Sequence, residues 1–354
     1  MSVDPIFLVG GSFSPAGAES SFRRGLERIG VRTVTFPGND PLSQVHRLLQ
    51  NRIGYHFTIR SYRARRAGSR RFNHELEEAV LRSEAPTLLV LKGEFVMPET
   101  LGRLRQRGIK VIVFYPDNPF PPHSSQRPET LPAARETDLY LIWSERLVVK
   151  LRNAGVRNPA FLPFAWDPEV FPFDEEDPQG AWPGALFLGG WDAEREAFLE
   201  ELASHVPLRI FGPKEWGVRT KSNSRVRRAW QGRDLRMADA AHMLRESAVC
   251  LNLLRKQHII DGAPDGLIMR HFEVPGAGGF LMSTRGTGAS NVFPEGETGE
   301  YFSDVLECAE KTKYYIANQF QRKQLTARAH SEVAARHQYS DRARQLVGLI
   351  TDCR

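Results

Sequence analysis

The chain has 354 residues, 41% of them hydrophobic, which is enough apolar material for two domain cores. Its 48 Lys and Arg residues against 42 Asp and Glu residues favour anionic ligands, but the excess of +6 is too small for a dedicated nucleic-acid binder. The sequence has no apolar run of about eighteen residues, no signal-peptide pattern and only three scattered cysteines, so we expect a cytoplasmic protein.

The first half of the chain alternates strand and helix patterns, which is typical of an α/β domain with a parallel sheet. The predicted elements are strands at 6–9, 31–36, 87–91, 109–114 and 138–143, and helices ending before Gly30, beginning near Pro98 and following Ser144. Ser144 belongs to the residue types that cap a helix N-terminus. The turn Gly10-Gly11-Ser12 after the first strand is explained either by ligand contact or by chain reversal.

Composition changes between residues 161 and 184, which are rich in proline and acidic residues and show little periodicity. We interpret this stretch as a linker. A second α/β series follows it, with strands at 185–188, 208–211, 249–253 and 280–283, a helix at 237–246 and a helical pattern after residue 304. The predicted organisation is an N-terminal Rossmann-like domain at 1–165, a linker at 166–184, and a C-terminal Rossmann-like domain with terminal helices at 185–354.

Two acidic residues, Asp265 and Glu273, stand eight positions apart just before a glycine-rich run. Eight residues make a little over two helical turns, so we expect both carboxylates to address one cleft from the same side. We interpret the glycine-rich run as a helix start, where backbone N–H groups attract phosphate. Carboxylates accept hydrogen bonds from sugar hydroxyls, while Arg270 and the amides of Gly278 and Gly279 are expected to hold a diphosphate. The combination predicts a nucleotide-sugar site.

The run RHFEVPGAGG at 270–279 resembles the R-x-F-E-x-x-A-x-G signature of the CgeB-like glycosyltransferases, relatives of the large retaining GT-B family. Asp265 stands where that family's acidic pair has its first Glu. The resemblance continues through CLNLLR, NVFPEG and HQYSDR, and covers roughly residues 184–345. It implies an α/β, GT-B-like fold, in which two doubly wound Rossmann-like domains face each other across a cleft, with helices at the C-terminus. In that fold the domain at 1–165 would be the acceptor domain and the domain at 185–354 the nucleotide-sugar domain.

The resemblance also assigns residues to the donor site. It implies that Glu273 holds ribose or sugar hydroxyls, that Asn252 and Arg255 line the same cleft, and that Asp265 is a catalytic candidate. Arg270 has a second interpretation, since it could form a structural salt bridge with either acidic residue.

Gly189 and Gly190 follow the first strand of the second domain, and donor binding there would place their bare backbone against the ligand. Arg195 lies a few residues further along and is a further candidate for the diphosphate. The glutamates on either side of it equally predict a solvated helix face.

Asp117 follows the strand at 109–114, and we expect it to orient an acceptor hydroxyl or act as its catalytic base. A plain Asp-Asn-Pro turn is the alternative. Seven arginines interleaved with aromatic residues lie between residues 52 and 71. We assign this basic segment to an anionic acceptor, while nucleic-acid binding, an anionic membrane surface and a solvated helix face stay open.

The sequence contains no Asp-x-Asp element, zinc-type cluster, nucleophile elbow or P-loop. We therefore predict metal-independent hexosyl or pentosyl transfer from a UDP-, GDP- or dTDP-linked sugar, without a cofactor. The resemblance implies retention at the anomeric carbon. The acceptor stays unidentified among glycans, proteins, lipids and nucleic acids, and peripheral membrane contact stays open. The alternative function is a non-catalytic nucleotide- or nucleic-acid-binding protein of the same fold.

Overall fold

The computed structural model describes residues 4–38, 58–93, 95–120, 129–176 and 179–353, with the backbone alone for residues 58–68 and Thr287. The chain divides into two units, the first formed by Met1–Leu162 with Arg342–Arg354 and the second by Pro163–Asp341. None of the described helices is long and apolar enough to cross a bilayer.

The first unit is built on a sheet of six parallel strands. They are β1 Ile6–Gly10, β2 Thr33–Pro37, β3 Thr87–Leu91, β4 Lys110–Tyr115, β5 Leu139–Ile142 and β6 Pro159–Phe161. Most of their residues are buried and apolar, as expected of a parallel sheet that helices cover on both faces. The strand order is β2-β1-β3-β4-β5-β6. The order therefore reverses between β1 and β3, which puts the topological switch point at their carboxyl ends.

Five described helices alternate with these strands. They are α1 Ala18–Arg28, α2 Thr58–Arg82, α3 Pro98–Gln106, α4 Thr130–Arg135 and α5 Glu145–Asn153. The predicted cap of α5 is confirmed, because Ser144 Oγ accepts the Leu147 N–H at 3.1 Å.

The second unit contains a five-stranded parallel sheet and a small antiparallel ribbon. Its strands are β7 Trp182–Leu188, β8 Leu208–Phe211, β9 Ser247–Asn252, β10 Ile259–Ile260, β11 Ala263–Pro264, β12 Leu281–Thr284 and β13 Glu300–Phe302. The sheet order is β13-β12-β9-β7-β8, and β10 pairs with β11 in the ribbon. The switch point of this sheet lies between β7 and β9.

The described helices of the second unit are α6 Ala193–Leu202, α7 Glu215–Arg219, α8 Arg225–Ala229, α9 Met237–Glu246, α10 Arg270–Gly276, α11 Thr287–Val292, α12 Val305–Ala317 and α13 Gln319–Arg336. The last helix, α14 Tyr339–Asp352, begins in the second unit and continues into the first. A 3-10 turn, Lys256–His258, follows β9. The predicted α/β class, with two Rossmann-like units and C-terminal helices, is confirmed.

The predicted end of the second domain needs correction. Residues 342–354, assigned to it from the sequence, belong to the first unit. There Lys110 Nζ donates to the carbonyls of Ile350 at 2.9 Å and Cys353 at 2.8 Å. A helical pattern predicts a helix but does not identify the core that the helix joins.

The segment predicted as a linker, residues 166–184, also needs correction, because its described residues, 166–176 and 179–184, belong to the second unit. Trp166 is 5% exposed. Its backbone N–H donates to the His337 carbonyl, and its indole N–H donates to the Phe171 carbonyl, both at 2.8 Å. Proline-rich composition predicted the irregular backbone correctly, but irregular backbone can still be buried when its polar groups find partners.

Candidate functional site

An arginine cluster, formed by Arg195, Arg255 and Arg270, lies at the switch point of the second sheet. Arg195 donates to the Gly190 carbonyl at 3.1 Å and to the Leu253 carbonyl at 2.5 Å, and so ties together the chain segments that follow β7 and β9. Its side chain is only 10% exposed, which excludes the solvated helix face. Burial and the charges of Arg255 and Arg270 lower the pKa of Arg195 to about 10.

Arg255 is the most accessible member of the cluster, with 43% of its side chain exposed. Its Nε lies 3.7 Å from the carboxylate of Asp192, which also caps α6 by accepting the Arg195 N–H at 2.9 Å. A Cβ added to Gly190 would lie 2.5 Å from the guanidinium of Arg255. The glycine after β7 therefore lets this cation approach the backbone closely.

Arg270 begins α10 and points toward the end of β7, where its Nε and Nη2 lie 3.4 Å from the Leu188 carbonyl. Its Nη1 donates to Glu273, so the structure selects Glu273 as the partner in the predicted salt bridge. Glu273 is 4% exposed. Burial raises the pKa of Glu273, and the neighbouring Arg270 opposes that rise.

The charges at this switch point do not balance. Three guanidinium groups share two carboxylates, Asp192 and Glu273, at the carboxyl ends of parallel strands. Open α/β sheets bind ligands at this position, and a bound diphosphate would relieve the repulsion between the guanidinium groups. The arrangement is chemically suited to an anionic ligand.

Asn252 is the last residue of β9, and its side-chain amide belongs to a buried polar network. Its Nδ2 donates to Ser283 Oγ at 3.0 Å, and the residue is 2% exposed. His271 Nδ1 accepts the Ile268 N–H at 3.2 Å, so we assign the ring proton to Nε2, which lies 3.2 Å from the same Ser283 Oγ. The network fixes the ends of β9 and β12 to the start of α10, and a direct contact of Asn252 with a ligand stays a prediction.

The buried His271 should make the protein sensitive to acid. Burial lowers the pKa of His271 to about 4, below its ordinary value of 6.5, so the unfolded chain binds more protons between these values. Stability is therefore expected to fall as the pH decreases from 6.5, by at most about 1.4 kcal/mol per pH unit. In His271→Gln this slope should be absent from urea unfolding between pH 6.5 and pH 5. An unchanged slope would assign the acid sensitivity to other groups.

The glycine-rich run after Glu273 is a helix end, so its prediction as a helix start is wrong. The N–H groups of Gly278 and Gly279 donate to carbonyls in the last turn of α10 at 3.0 and 2.9 Å, and Gly278 has a φ of +85°. These amides are already used and are not available to a diphosphate. A Cβ at Gly276 would lie 2.4 Å from the Trp166 ring, so the small residues serve packing.

Asp265 and Glu273 do not share a helix. Asp265 lies in the loop between β11 and α10 and is 5% exposed. Its Oδ1 lies 3.1 Å from the position of a Cβ at Gly288, beside the first turn of α11. A helix start stabilises a negative charge, which gives Asp265 a structural reason to be buried. Its catalytic role stays a prediction.

Asp117 lies at the carboxyl end of β4 in the first unit. Its Oδ2 is 3.1 Å from Lys92 Nζ, and its side chain is 19% exposed. The turn that the sequence predicted as an alternative is present, since Asn118 Oδ1 accepts the Phe120 N–H at 3.0 Å. Lys92 has a φ of +67°, an unfavourable conformation for a residue with a side chain, directly after β3.

Most of the predicted basic segment lies outside the described residues. Residues 52–57 are not described, and of residues 58–68 only the helical backbone is. Arg71 is 84% exposed and pairs with Glu75 at 2.7 Å, as expected of a solvated helix face. Across the described residues, no group of three or more His, Cys, Asp or Glu side chains is placed to hold a metal ion.

Sequence reasoning missed two members of the site. Asp192 could have been predicted as an N-cap, because it is an acidic residue directly before a helical pattern. His271 could not have been predicted, since its role depends on Ser283 from a distant strand.

Two α/β units, each built on a parallel sheet, are the architecture of GT-B glycosyltransferase folds. Residues 195–348 match the family model described as glycosyl transferase-like. This stretch holds the whole arginine cluster. This part of the chain is therefore similar to glycosyl transferase-like domains.

Solved structures share the fold over the whole chain. Sucrose-phosphate synthase from Thermosynechococcus elongatus aligns with a TM-score of 0.69 at 13% identity and 99% coverage of both chains. HepE from Anabaena, in complex with UDP and glucose, has a TM-score of 0.63 at 12% identity, covering 99% of this chain and 100% of its own. The trehalose-6-phosphate synthase OtsA has a TM-score of 0.63 at 12% identity, covering 98% and 99%. No curated protein sequence matches the chain.

Proposed function

We propose that the protein is a CgeB-like glycosyltransferase that moves a sugar from a nucleoside diphosphate donor to an acceptor without a metal ion. The arginine cluster at the switch point of the second sheet carries this proposal. Arg255 and Arg270 are the more exposed members, at 43% and 26% of the side chain, whereas Arg195 is 10% exposed and donates to backbone carbonyls.

Transfer breaks the bond between the anomeric carbon and the β-phosphate oxygen, and negative charge develops on the departing diphosphate. Arg255 and Arg270 would stabilise that charge, which is the role a divalent cation plays in metal-dependent transferases. Glu273 holds Arg270 in position and would accept a hydrogen bond from a ribose or sugar hydroxyl. Asp117, paired with Lys92, is the candidate for orienting the acceptor hydroxyl.

UDP is the first nucleotide to test as the carrier of the donor sugar, because a structure of similar fold, HepE, holds UDP and glucose. Retention at the anomeric carbon, transfer of a hexose or a pentose, and a cytoplasmic location complete the proposal. The resemblance supports retention, and the cysteine content of the sequence supports the location.

Slow hydrolysis of one nucleotide-sugar is the expected signature of this function. A transferase without its acceptor usually loses some sugar to water, so glucose release from UDP-, GDP- and dTDP-glucose should be detectable for one donor. The rate should be the same in excess EDTA, because arginines provide the positive charge. Product nucleotide measured by chromatography, with and without EDTA, is the readout.

Two outcomes would contradict the proposal in different ways. Loss of hydrolysis in EDTA with recovery in manganese would show that transfer needs a metal. Binding of a nucleotide without any turnover would favour a non-catalytic binding protein of the same fold.

A further inference from the structure

The first unit has a cavity at its own switch point. Its volume is about 220 Å³, and it lies at the carboxyl ends of β1, β3 and β4 beside the start of α1. Apolar side chains form most of its wall, among them Val9, Phe72 and Phe114. A cavity of roughly 150 Å³ holds benzene, so this one has room for a substituted six-membered ring.

Among the described residues that line this cavity, Glu19 and Lys92 are the two with ionisable side chains. Lys92 is paired with Asp117 at 3.1 Å, so its charge is compensated. Glu19 accepts the neutral backbone N–H of Phe13 at 3.1 Å. The polar part of the wall is therefore weakly negative.

The Glu19 carboxylate occupies the glycine turn after β1. A Cβ at Gly11 would lie 2.9 Å from its Oε1, and one at Gly17 would lie 2.7 Å from the same atom. Glu19 is the second residue of α1, so its carboxylate lies where Rossmann-like units receive the phosphate of a ligand. The Glu19 carboxylate therefore puts a negative charge at the position where a ligand phosphate would bind.

At the corresponding turn of the second unit the charged side chain is a cation. The segment after β7 leads into α6, and the third residue of that helix is Arg195, which donates to the Gly190 carbonyl. A cation over one glycine turn and a carboxylate over the other predict ligands of different charge for the two units.

We propose that the cavity of the first unit binds an uncharged hydroxylated ring, such as a sugar, and rejects the phosphorylated form of the same ring. The apolar wall takes the ring face, and Glu19 accepts a hydroxyl hydrogen bond while repelling a phosphate. That this ring is the sugar acceptor rests on the proposed function, whereas the charge selectivity does not. An uncharged acceptor differs from the anionic acceptor predicted from the basic segment at 52–71, most of which lies outside the described residues.

The test compares glucose with glucose 6-phosphate as probes on the full chain, without nucleotide. Methyl NMR signals of Val9, Ala18 and Val96, which line the cavity, report binding at this place. In the wild type, glucose is expected to move these signals, and glucose 6-phosphate to bind about tenfold more weakly, a difference of about 1.4 kcal/mol. In Glu19→Gln the ratio should fall below about threefold, because the amide keeps the shape but loses the charge.

Two further variants serve as controls. Glu27→Gln removes the same charge from the same helix, where Glu27 bonds to Thr33 at 2.9 Å and does not line the cavity, so it should keep the wild-type ratio. Ala18→Leu enlarges a side chain of the cavity wall and should weaken both probes.

Three results would overturn the proposal: cavity methyl signals unmoved by glucose, equal or tighter wild-type binding of glucose 6-phosphate, or the same ratio in Glu19→Gln and Glu27→Gln. A separate UDP titration tests the donor site of the second unit. Failure of the cavity proposal is thereby distinguished from failure of the proposed function.

Discussion

Replacing Arg270 with methionine is expected to lower the free energy of unfolding by about 3 kcal/mol at pH 7.5, the lower end of the range for breaking a buried ion pair. The variant leaves the buried Glu273 carboxylate without its cation, and the pKa of Glu273, already raised by burial, should rise further. A carboxyl with a raised folded-state pKa stabilises the fold fully below its ordinary pKa of 4.5 and progressively less as the pH increases. The loss should therefore be small near pH 4.5 and largest at pH 7.5, as measured by urea unfolding.

The double variant Arg270→Met with Glu273→Gln provides the matched control. A neutral amide replaces the stranded carboxylate, so most of the lost stability should return at pH 7.5. Arg336→Met removes a 73% exposed arginine that pairs with Glu332, and should cost less than about 0.5 kcal/mol. A loss from Arg270→Met that is equal at both pH values would show that the charge of Glu273 is not its cause.

Arg255→Ala is expected to weaken UDP binding by about 10- to 100-fold, the equivalent of the roughly 1.5–3 kcal/mol of a charge-assisted hydrogen bond. Arg255 has 43% of its side chain exposed beside Gly190, so it can reach a diphosphate while Arg195 stays engaged with the backbone. Isothermal titration with UDP measures the effect.

Lys256→Ala is the matched control for this prediction. Lys256 is the next residue, carries the same charge, is 77% exposed and pairs with Glu194 at 2.8 Å. Its loss should change UDP affinity by less than about threefold, which is the scale of a screened surface charge. An equal loss of UDP affinity in the two variants would show that the overall positive charge of the domain attracts UDP, without a specific contact at Arg255.

Local patterns predicted the sheets because a buried parallel strand is a short apolar run. The strand predicted at 208–211 matches β8, and the helix predicted at 237–246 matches α9. Strands of two or three residues, such as β10 and β13, were missed because they are too short to show a pattern. The sequence also predicted a salt bridge of Arg270 with Asp265 or Glu273 as one of two interpretations, and the structure forms it with Glu273.

The sequence could not show whether a glycine run begins or ends a helix, nor which residues far apart in the chain are in contact. A glycine run looks the same at the start and at the end of a helix, and only the hydrogen bonds of Gly278 and Gly279 show that α10 ends there. Likewise, the glutamates beside Arg195 predicted a solvated face, whereas its guanidinium bonds to Leu253, 58 positions away.

The packing of Trp166 determines how the second unit can be cut from the chain. A fragment beginning at residue 185 would remove the indole that lies against Gly276 and would expose to water the side of α10 that Trp166 covers, and newly exposed apolar surface promotes aggregation during expression. Proteolysis between residues 162 and 163, by contrast, would spare every hydrogen bond that Trp166 makes with Phe171 and His337. Domain fragments for crystallisation or isotope labelling should therefore begin at Pro163.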